Sequence, residues 1–155
     1  MLGAGDPVPE ATVWAGADVG PLSLREAIAG PGHALVCFYP YDWSPTCTSE
    51  LRLLRERGGE LADAGIRPFG ISQDSPWSQR AFAESIGVVG AVTLLSDRLG
   101  EATEAFGVAA TSNGLPKAER SAFLVAGATV VAAWHLGTEL PDVDAIVASA
   151  SPFSG

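Results

Sequence analysis

Lysine is almost missing from this chain: Lys117 is the only one, and Lys and Arg together number nine against eighteen Asp and Glu. The net charge of −9 sets the chain against phosphate backbones and anionic headgroups, so neither nucleic acid nor an anionic membrane is expected as a partner. Cysteine is equally scarce. Cys37 and Cys47 are the whole supply, too few for a disulfide framework and without a Cys-x-x-Cys pair. With only His33 and His135 besides, scattered along the chain, zinc-ligand spacing is absent, and no metal or other cofactor is expected. Long apolar runs are missing too. Residues 121–138 carry no formal charge, but Gly127, Thr129, His135 and Gly137 break them up, which suits a buried hairpin better than a membrane span. The opening MLGAGDPVPE has neither the basic start nor the apolar centre of a secretory signal. These absences lead to the expectation of a soluble, cytoplasmic protein.

What is present is the makings of a core. Nearly half the 155 residues are apolar (47%), enough for one domain over residues 1–155, with 151–155 expected as a mobile tail. Residues 10–14 suit a short edge strand. Ser23 is placed to cap a short helix, with Glu26 at the capping-box position. The run Ala34–Tyr39 is apolar throughout, as in a central strand buried on both faces. Leu51, Leu54 and Leu61 recur at helical spacing, and Gly58-Gly59 is expected to kink or shorten that helix. Residues 68–72 read as a second buried strand. Ser75-Pro76 opens another helix, with Ala81, Phe82 and Ile86 as its apolar face. A strand at 93–95, a helix from Leu99 to Phe106 ended by Gly107, a hairpin over 122–135 and a helix at 142–150 complete the order. Alternating strands and helices followed by a hairpin and a helix predict an α/β sandwich with a mixed central sheet.

The stretch FYPYDWSPTC, residues 38–47, carries the chemistry. Ser44-Pro45 has the grammar of a helix start, an N-cap serine followed by proline where no amide hydrogen is needed. Cys47 then falls in the first turn, where unpaired N–H groups and the helix dipole favour an anion. That is a setting for a reactive thiolate. Set against it is the ordinary alternative of a small buried apolar cysteine.

Pro40-x-x-x-Ser44-x-x-Cys47 resembles the Pro-x-x-x-Thr/Ser-x-x-Cys signature of the peroxiredoxins. Further matches keep that family's order: Gly70-Ile71-Ser72-x-Asp74-Ser75, Leu94-Leu95-Ser96-Asp97, Ala105-Phe106-Gly107-Val108, and the arginine-led strand Arg120–Val125. Together they run from about residue 6 to residue 147. The resemblance is to the one-cysteine alkyl hydroperoxide reductase E type and the bacterioferritin-comigratory type. It implies a thioredoxin-like three-layer sandwich and a thiol-dependent peroxidase acting on hydrogen peroxide or organic hydroperoxides. By position, Cys47 would be the peroxidatic nucleophile, Ser44 would hydrogen-bond the peroxide and Pro40 would shield the pocket. Arg120 would stabilise the thiolate, with Glu50, one turn after Cys47, orienting it. Taken alone, Arg120 is an arginine entering a buried strand and Glu50 an acid favoured near a helix N-terminus. Trp43 and Trp134 resemble family aromatics, and core packing accounts for them equally well.

The sequence also departs from the pattern. Arg52 stands five residues after Cys47, where a resolving cysteine is common, and no cysteine follows Cys47 at all. Cys37 lies in an apolar strand and reads as structural. Recycling of a sulfenic acid would therefore need an external thiol, of the thioredoxin, glutaredoxin or low-molecular-weight kind. The long C-terminal extension of the larger peroxiredoxins is not expected, and the resemblance implies a compact homodimer with Trp43 and the loop around Trp77 near its interface. Two other functions stay open, a redox sensor switched by Cys47 oxidation and a thiol–disulfide exchange protein. A Cys47–His135 acyl-transfer dyad has no support from the residues around either.

Overall fold

The apolar runs and the Ser-Pro helix starts each become an element in the computed structural model, which describes residues 1–150. In chain order these are β1 (Thr12–Val13), β2 (Leu22–Ser23), α1 (Leu24–Ile28), β3 (His33–Phe38), α2 (Pro45–Glu56), α3 (Gly58–Asp63), β4 (Ile66–Ser72) and α4 (Pro76–Ile86). There follow β5 (Thr93–Ser96), α5 (Glu101–Ala105), β6 (Ala109–Ser112), β7 (Leu115–Ala118), β8 (Ser121–Ala126), β9 (Thr129–His135) and α6 (Val143–Ala150). The expected tail at 151–155 lies outside the described residues.

Five strands make one sheet in the order β5-β4-β3-β8-β9. Strands β3, β4 and β5 run parallel, whereas β8 is antiparallel to both β3 and β9. The sheet is therefore mixed, and β3 lies at its centre, as a strand buried on both faces must. Its side chains alternate between two cores. Ala34, Val36 and Phe38 pack on one side with Leu24, Phe106 and Phe123; Leu35, Cys37 and Tyr39 pack on the other with Leu51, Leu54, Phe82 and Ile146. Helices thus cover both faces of the sheet, in a three-layer sandwich of the thioredoxin type.

Local chemistry explains most boundaries. Ser23, Ser44 and Ser75 each accept a hydrogen bond from the amide three residues on, starting α1, α2 and α4. Gly58 and Gly59 divide the leucine-spaced stretch into α2 and α3 rather than letting one helix run through. Gly70, in the middle of β4, allows a close approach: a Cβ there would come within 2.8 Å of Leu94 Cδ2 and 3.2 Å of Leu51 Cδ2. The segment 121–138 is the β8–β9 hairpin, and no helix among the described residues is long and apolar enough to cross a membrane.

Some elements differ from the sequence reading. The edge strand at 10–14 contracts to Thr12–Val13, which pairs with β2 outside the main sheet. In α4 it is Ala83, with Phe82 and Ile86, that faces the core, and Ala81 is exposed. The packing of α4 against the sheet chooses that phase over the one the spacing suggests. Leu99 stays outside α5 and is exposed, because Gly100 in the left-handed region starts that helix. An antiparallel hairpin, β6–β7, is an addition to the sequence reading. Asn113 (φ 54) and Gly114 (φ 78) form its two-residue turn, both at positive φ as a tight hairpin turn requires.

Candidate active site

Three pieces of chain meet at the C-terminal end of β3. The first is the loop from Tyr39 to Ser44, clamped by an acidic side chain. Tyr39 Oη donates to Asp42 Oδ1 (2.7 Å), Ser78 Oγ donates to Asp42 Oδ2 (2.7 Å), and the Asp42 amide donates to Asp74 Oδ2 (2.8 Å). Burial pushes the Asp42 carboxyl up to about 6, the nearby Asp74 charge adds to the rise, and the bonds from Ser78 and Tyr39 oppose it. Trp43 follows at φ 72, in the left-handed region that a bulky residue seldom adopts. Its ring lies against Phe82 with centroids 5.2 Å apart, while half of the side chain remains exposed.

The second piece is the first turn of α2. Ser44 Oγ accepts from the Cys47 amide at 3.1 Å, so the capping bond ends on the cysteine itself. Cys47 is fully buried. Glu50, one turn further along the same face, is also fully buried.

The third piece comes from the far end of the sequence. β8 pairs with β3 so that Ser121 lies opposite Phe38, which sets Arg120 beside the point where the Tyr39–Ser44 loop begins. The Leu136 amide donates to the Arg120 carbonyl at 2.9 Å and holds its backbone. Arg120 is only 5% exposed, and its guanidinium forks. Nη1 donates to Glu50 Oε1, and Nη2 donates to Cys47 Sγ at 3.3 Å. Arg120 Nε and Glu50 Oε2 are buried without a hydrogen-bond partner among the described residues.

One cation therefore serves two acidic groups. Burial raises the Glu50 carboxyl to about 7, against the pull of Arg120. Burial works to strip the Arg120 proton as well, but Glu50 and Cys47 outweigh it and the guanidinium holds its charge more tightly than usual. A guanidinium on the sulfur, at a helix start where a serine hydroxyl caps the cysteine amide, can stabilise a thiolate and a developing oxyanion.

Of the residues singled out from the sequence, Ser44, Cys47, Glu50 and Arg120 come together. Pro40 flanks them in the same loop and lines a cavity of about 420 Å³ with Tyr41, Asp74, Arg98 and Pro116. His135 pairs at the surface with Glu119 at 2.9 Å and makes no contact with Cys47. Cys37 is a free thiol buried in β3 between Gly70 and Ala122, and burial, aided by the Glu50 charge, pushes it well above the ordinary thiol range. Arg52 turns to the Ile86 carbonyl. Trp77 is in α4 rather than in a loop, and is strongly exposed. The Asp42 clamp is invisible in the sequence: an aspartate in a loop carries no local sign that a tyrosine, a serine and a second aspartate will meet it.

Comparison with known proteins agrees with this geometry. Residues 4–133 match the profile of the AhpC/TSA family. The chain is similar to a bcp-type peroxiredoxin named in Coxiella burnetii, 33% identical over 103 residues that take in 64% of this chain and 67% of that protein. It is also similar to alkyl hydroperoxide reductase C of Staphylococcus aureus, 29% identical over 68% of this chain, and spans little more than half of that protein (56%). Among solved structures, peroxidoxin BcpB of Mycobacterium tuberculosis superimposes with a TM-score of 0.84 over 100% of both chains at 24% identity, a likeness of fold. A thioredoxin-like sandwich, the ordered motifs and the family profile lead to one assignment: the chain belongs to the AhpC/TSA family of peroxiredoxins.

Proposed function

We propose that the protein is a thiol-dependent peroxidase that reduces hydrogen peroxide or organic hydroperoxides at Cys47. The observation that carries this reading is the forked Arg120, which donates to the Cys47 sulfur with one nitrogen and to the buried Glu50 with another. The thiolate attacks the terminal peroxide oxygen; an S–O bond forms, the O–O bond breaks, and the leaving alkoxide or hydroxide takes up a proton to depart as alcohol or water. Cys47 is left as a sulfenic acid. Ser44 Oγ spends an acceptor position on the Cys47 amide, so its O–H is still free to donate to the peroxide. Arg120 stabilises the thiolate and the charge on the departing oxygen, Glu50 positions Arg120, and Pro40 shields the sulfur from water.

Recycling uses an external thiol, because Cys37 lies within the sheet core with its proton held tightly. A first thiol displaces water from the sulfenic acid to form a mixed disulfide, and a second releases Cys47 with an external disulfide as product. Both cysteines are free, which suits a reducing, cytoplasmic setting. Trp43 (54% exposed) and Trp77 (67% exposed) offer apolar surface beside this end of the molecule, and a homodimer would bury them. A monomeric mass by light scattering at micromolar concentration would overturn the dimer.

Stopped-flow mixing of reduced protein with hydrogen peroxide, followed by intact-mass analysis, tests the activity. Stoichiometric oxidation, faster than that of free cysteine, is expected in the native protein and in Cys37→Ser, and none in Cys47→Ser. A rate no greater than that of free cysteine refutes the proposal.

A further inference from the structure

A separate hollow lies away from Cys47, at one edge of the sheet. Its volume is about 530 Å³, and it opens between α4, the edge strand β5 and the loop at 15–19. Val19, Pro76, Ala83, Val89 and Val92 make its wall mostly apolar, and Val19 and Val89 remain more than half exposed. Asp18 and Arg80 also line it and pair with each other at 3.3 Å, so the hollow presents no uncompensated charge.

Three hydrogen-bonding groups along this wall have no partner among the described residues. Two belong to the backbone of Leu94. Ser96, two residues on, bonds to Trp14 through both its N–H (2.8 Å) and its C=O (3.0 Å), across the outer edge of β5. Successive residues of a strand turn these groups to alternate sides, so those of Leu94 face the same edge. Residues 15–19 leave the strand after Trp14, and none of them bonds to Leu94 there. The third group is Gln79 Oε1. Gln79 is only 3% exposed and lines the hollow. Its Nε2 donates to Ser72 Oγ (3.1 Å) and to the Leu95 carbonyl (2.9 Å). A carbonyl can only accept, which fixes the orientation of the amide and leaves Oε1 as an open acceptor. A molecule that covered these three groups without bonding them would bind poorly.

We propose that this hollow binds a neutral, planar cyclic urea fused to an apolar ring. The N–H and C=O of Leu94 lie side by side, and the adjacent C=O and N–H of the cyclic urea meet them in parallel. The second N–H of the urea donates to Gln79 Oε1, while the fused ring lies on Val19, Pro76 and Ala83. A charged ligand is selected against, because Asp18 and Arg80 already satisfy each other. The site is separate from Cys47 and does not depend on the peroxidase reading.

Benzimidazolone is the probe, because its carbonyl is flanked by two N–H groups. It is titrated into the full chain, labelled with nitrogen-15, and followed by NMR. Saturable shifts are expected at the Leu94 backbone amide and the Gln79 side-chain amide, with slowed hydrogen exchange at Leu94. Phe106, in the core on the other face of the sheet, should not move. Benzoxazolone, with oxygen in place of one N–H, should bind about fivefold more weakly, and 1,3-dimethylbenzimidazolone about twenty-five-fold more weakly. In Gln79→Met the advantage of benzimidazolone over benzoxazolone should vanish while both still bind. That variant also loses the bonds to Ser72 and Leu95, so the three-ligand series on the native protein decides the matter if it does not fold. Equal affinity for the three ligands, shifts confined to other parts of the molecule, or no saturable binding up to millimolar concentration overturns the assignment.

Discussion

Replacing Glu50 by glutamine should make the protein more stable and slower. Glu50 is fully buried, and burial raises its carboxyl from the ordinary 4.5 to about 7 despite Arg120. A carboxyl held up in the folded state lends stability that is complete below its unfolded value, near 4.5, and is lost as pH rises through about 7. At about 1.4 kcal/mol per tenfold change in proton affinity, the loss above neutrality is on the order of 3 kcal/mol. An amide imitates the neutral acid that the folded protein holds below that pH, and its oxygen can still accept from Arg120 Nη1. Glu50→Gln should therefore gain about 3 kcal/mol in urea unfolding near pH 8 and almost nothing near pH 4.

The catalytic effect should run the other way. A neutral acceptor holds a guanidinium more weakly than a carboxylate does, a difference of about 1 kcal/mol. Arg120 is then less firmly set against the Cys47 sulfur, and peroxide oxidation followed by stopped flow should slow about fivefold. The opposite stability result is well defined. If Glu50 ionised at its ordinary value, removing it would leave Arg120 short of a partner and cost about 3–5 kcal/mol. A Glu50→Gln protein less stable than the parent near pH 8, or one gaining equally at both pH values, refutes the argument from burial.

Three other substitutions probe the remaining contacts. Arg120→Lys keeps the charge but loses the planar fork that reaches Glu50 and Cys47 together, and should lower the rate of Cys47 oxidation by about a hundredfold in stopped flow. Ser44→Ala should cost about 1 kcal/mol in urea unfolding as the cap on Cys47 is lost, and should slow peroxide reduction, whereas Ser44→Thr should preserve both. Asp42→Ala strands the buried Tyr39 hydroxyl and frees Ser78, costing about 1–3 kcal/mol; hydrogen exchange should rise in residues 40–46, with little change in α6.

How much of this is legible in the sequence depends on the range of the forces involved. Ser23, Ser44 and Ser75 can be read as caps because the bond each makes spans three residues, and Gly58-Gly59 as a break because propensity is local. The phase of α4 cannot: Ala81 and Ala83 are alike as helix formers, and only packing on the sheet buries one and exposes the other. The β6–β7 hairpin has its signal in Asn113-Gly114, but its strands are mostly exposed and lack the apolar alternation that marks a strand. The meeting of Arg120 with Glu50 spans 70 residues and depends on the β3–β8 register. Without the family resemblance, no spacing in the chain points to it.

Under the proposed function, burial by itself is a poor guide to the reactivity of the two cysteines. Both are completely buried and both belong to the same apolar core. Their difference lies in what surrounds the sulfur. Cys37 sits in the middle of a strand with neighbours paired on either side, so its backbone polarity is spent on the sheet, and desolvation together with the Glu50 charge disfavours its thiolate. Cys47 stands where a helix begins, with its amide capped by Ser44 and a guanidinium nitrogen 3.3 Å from its sulfur. Glu50 bears on the surroundings of both thiols: its charge opposes ionisation of Cys37, and it holds the guanidinium that donates to the Cys47 sulfur. A single core thus holds one thiol enclosed between paired strands and another that meets a guanidinium at a helix start. The helix start can be read from Ser44-Pro45; the guanidinium needs the fold.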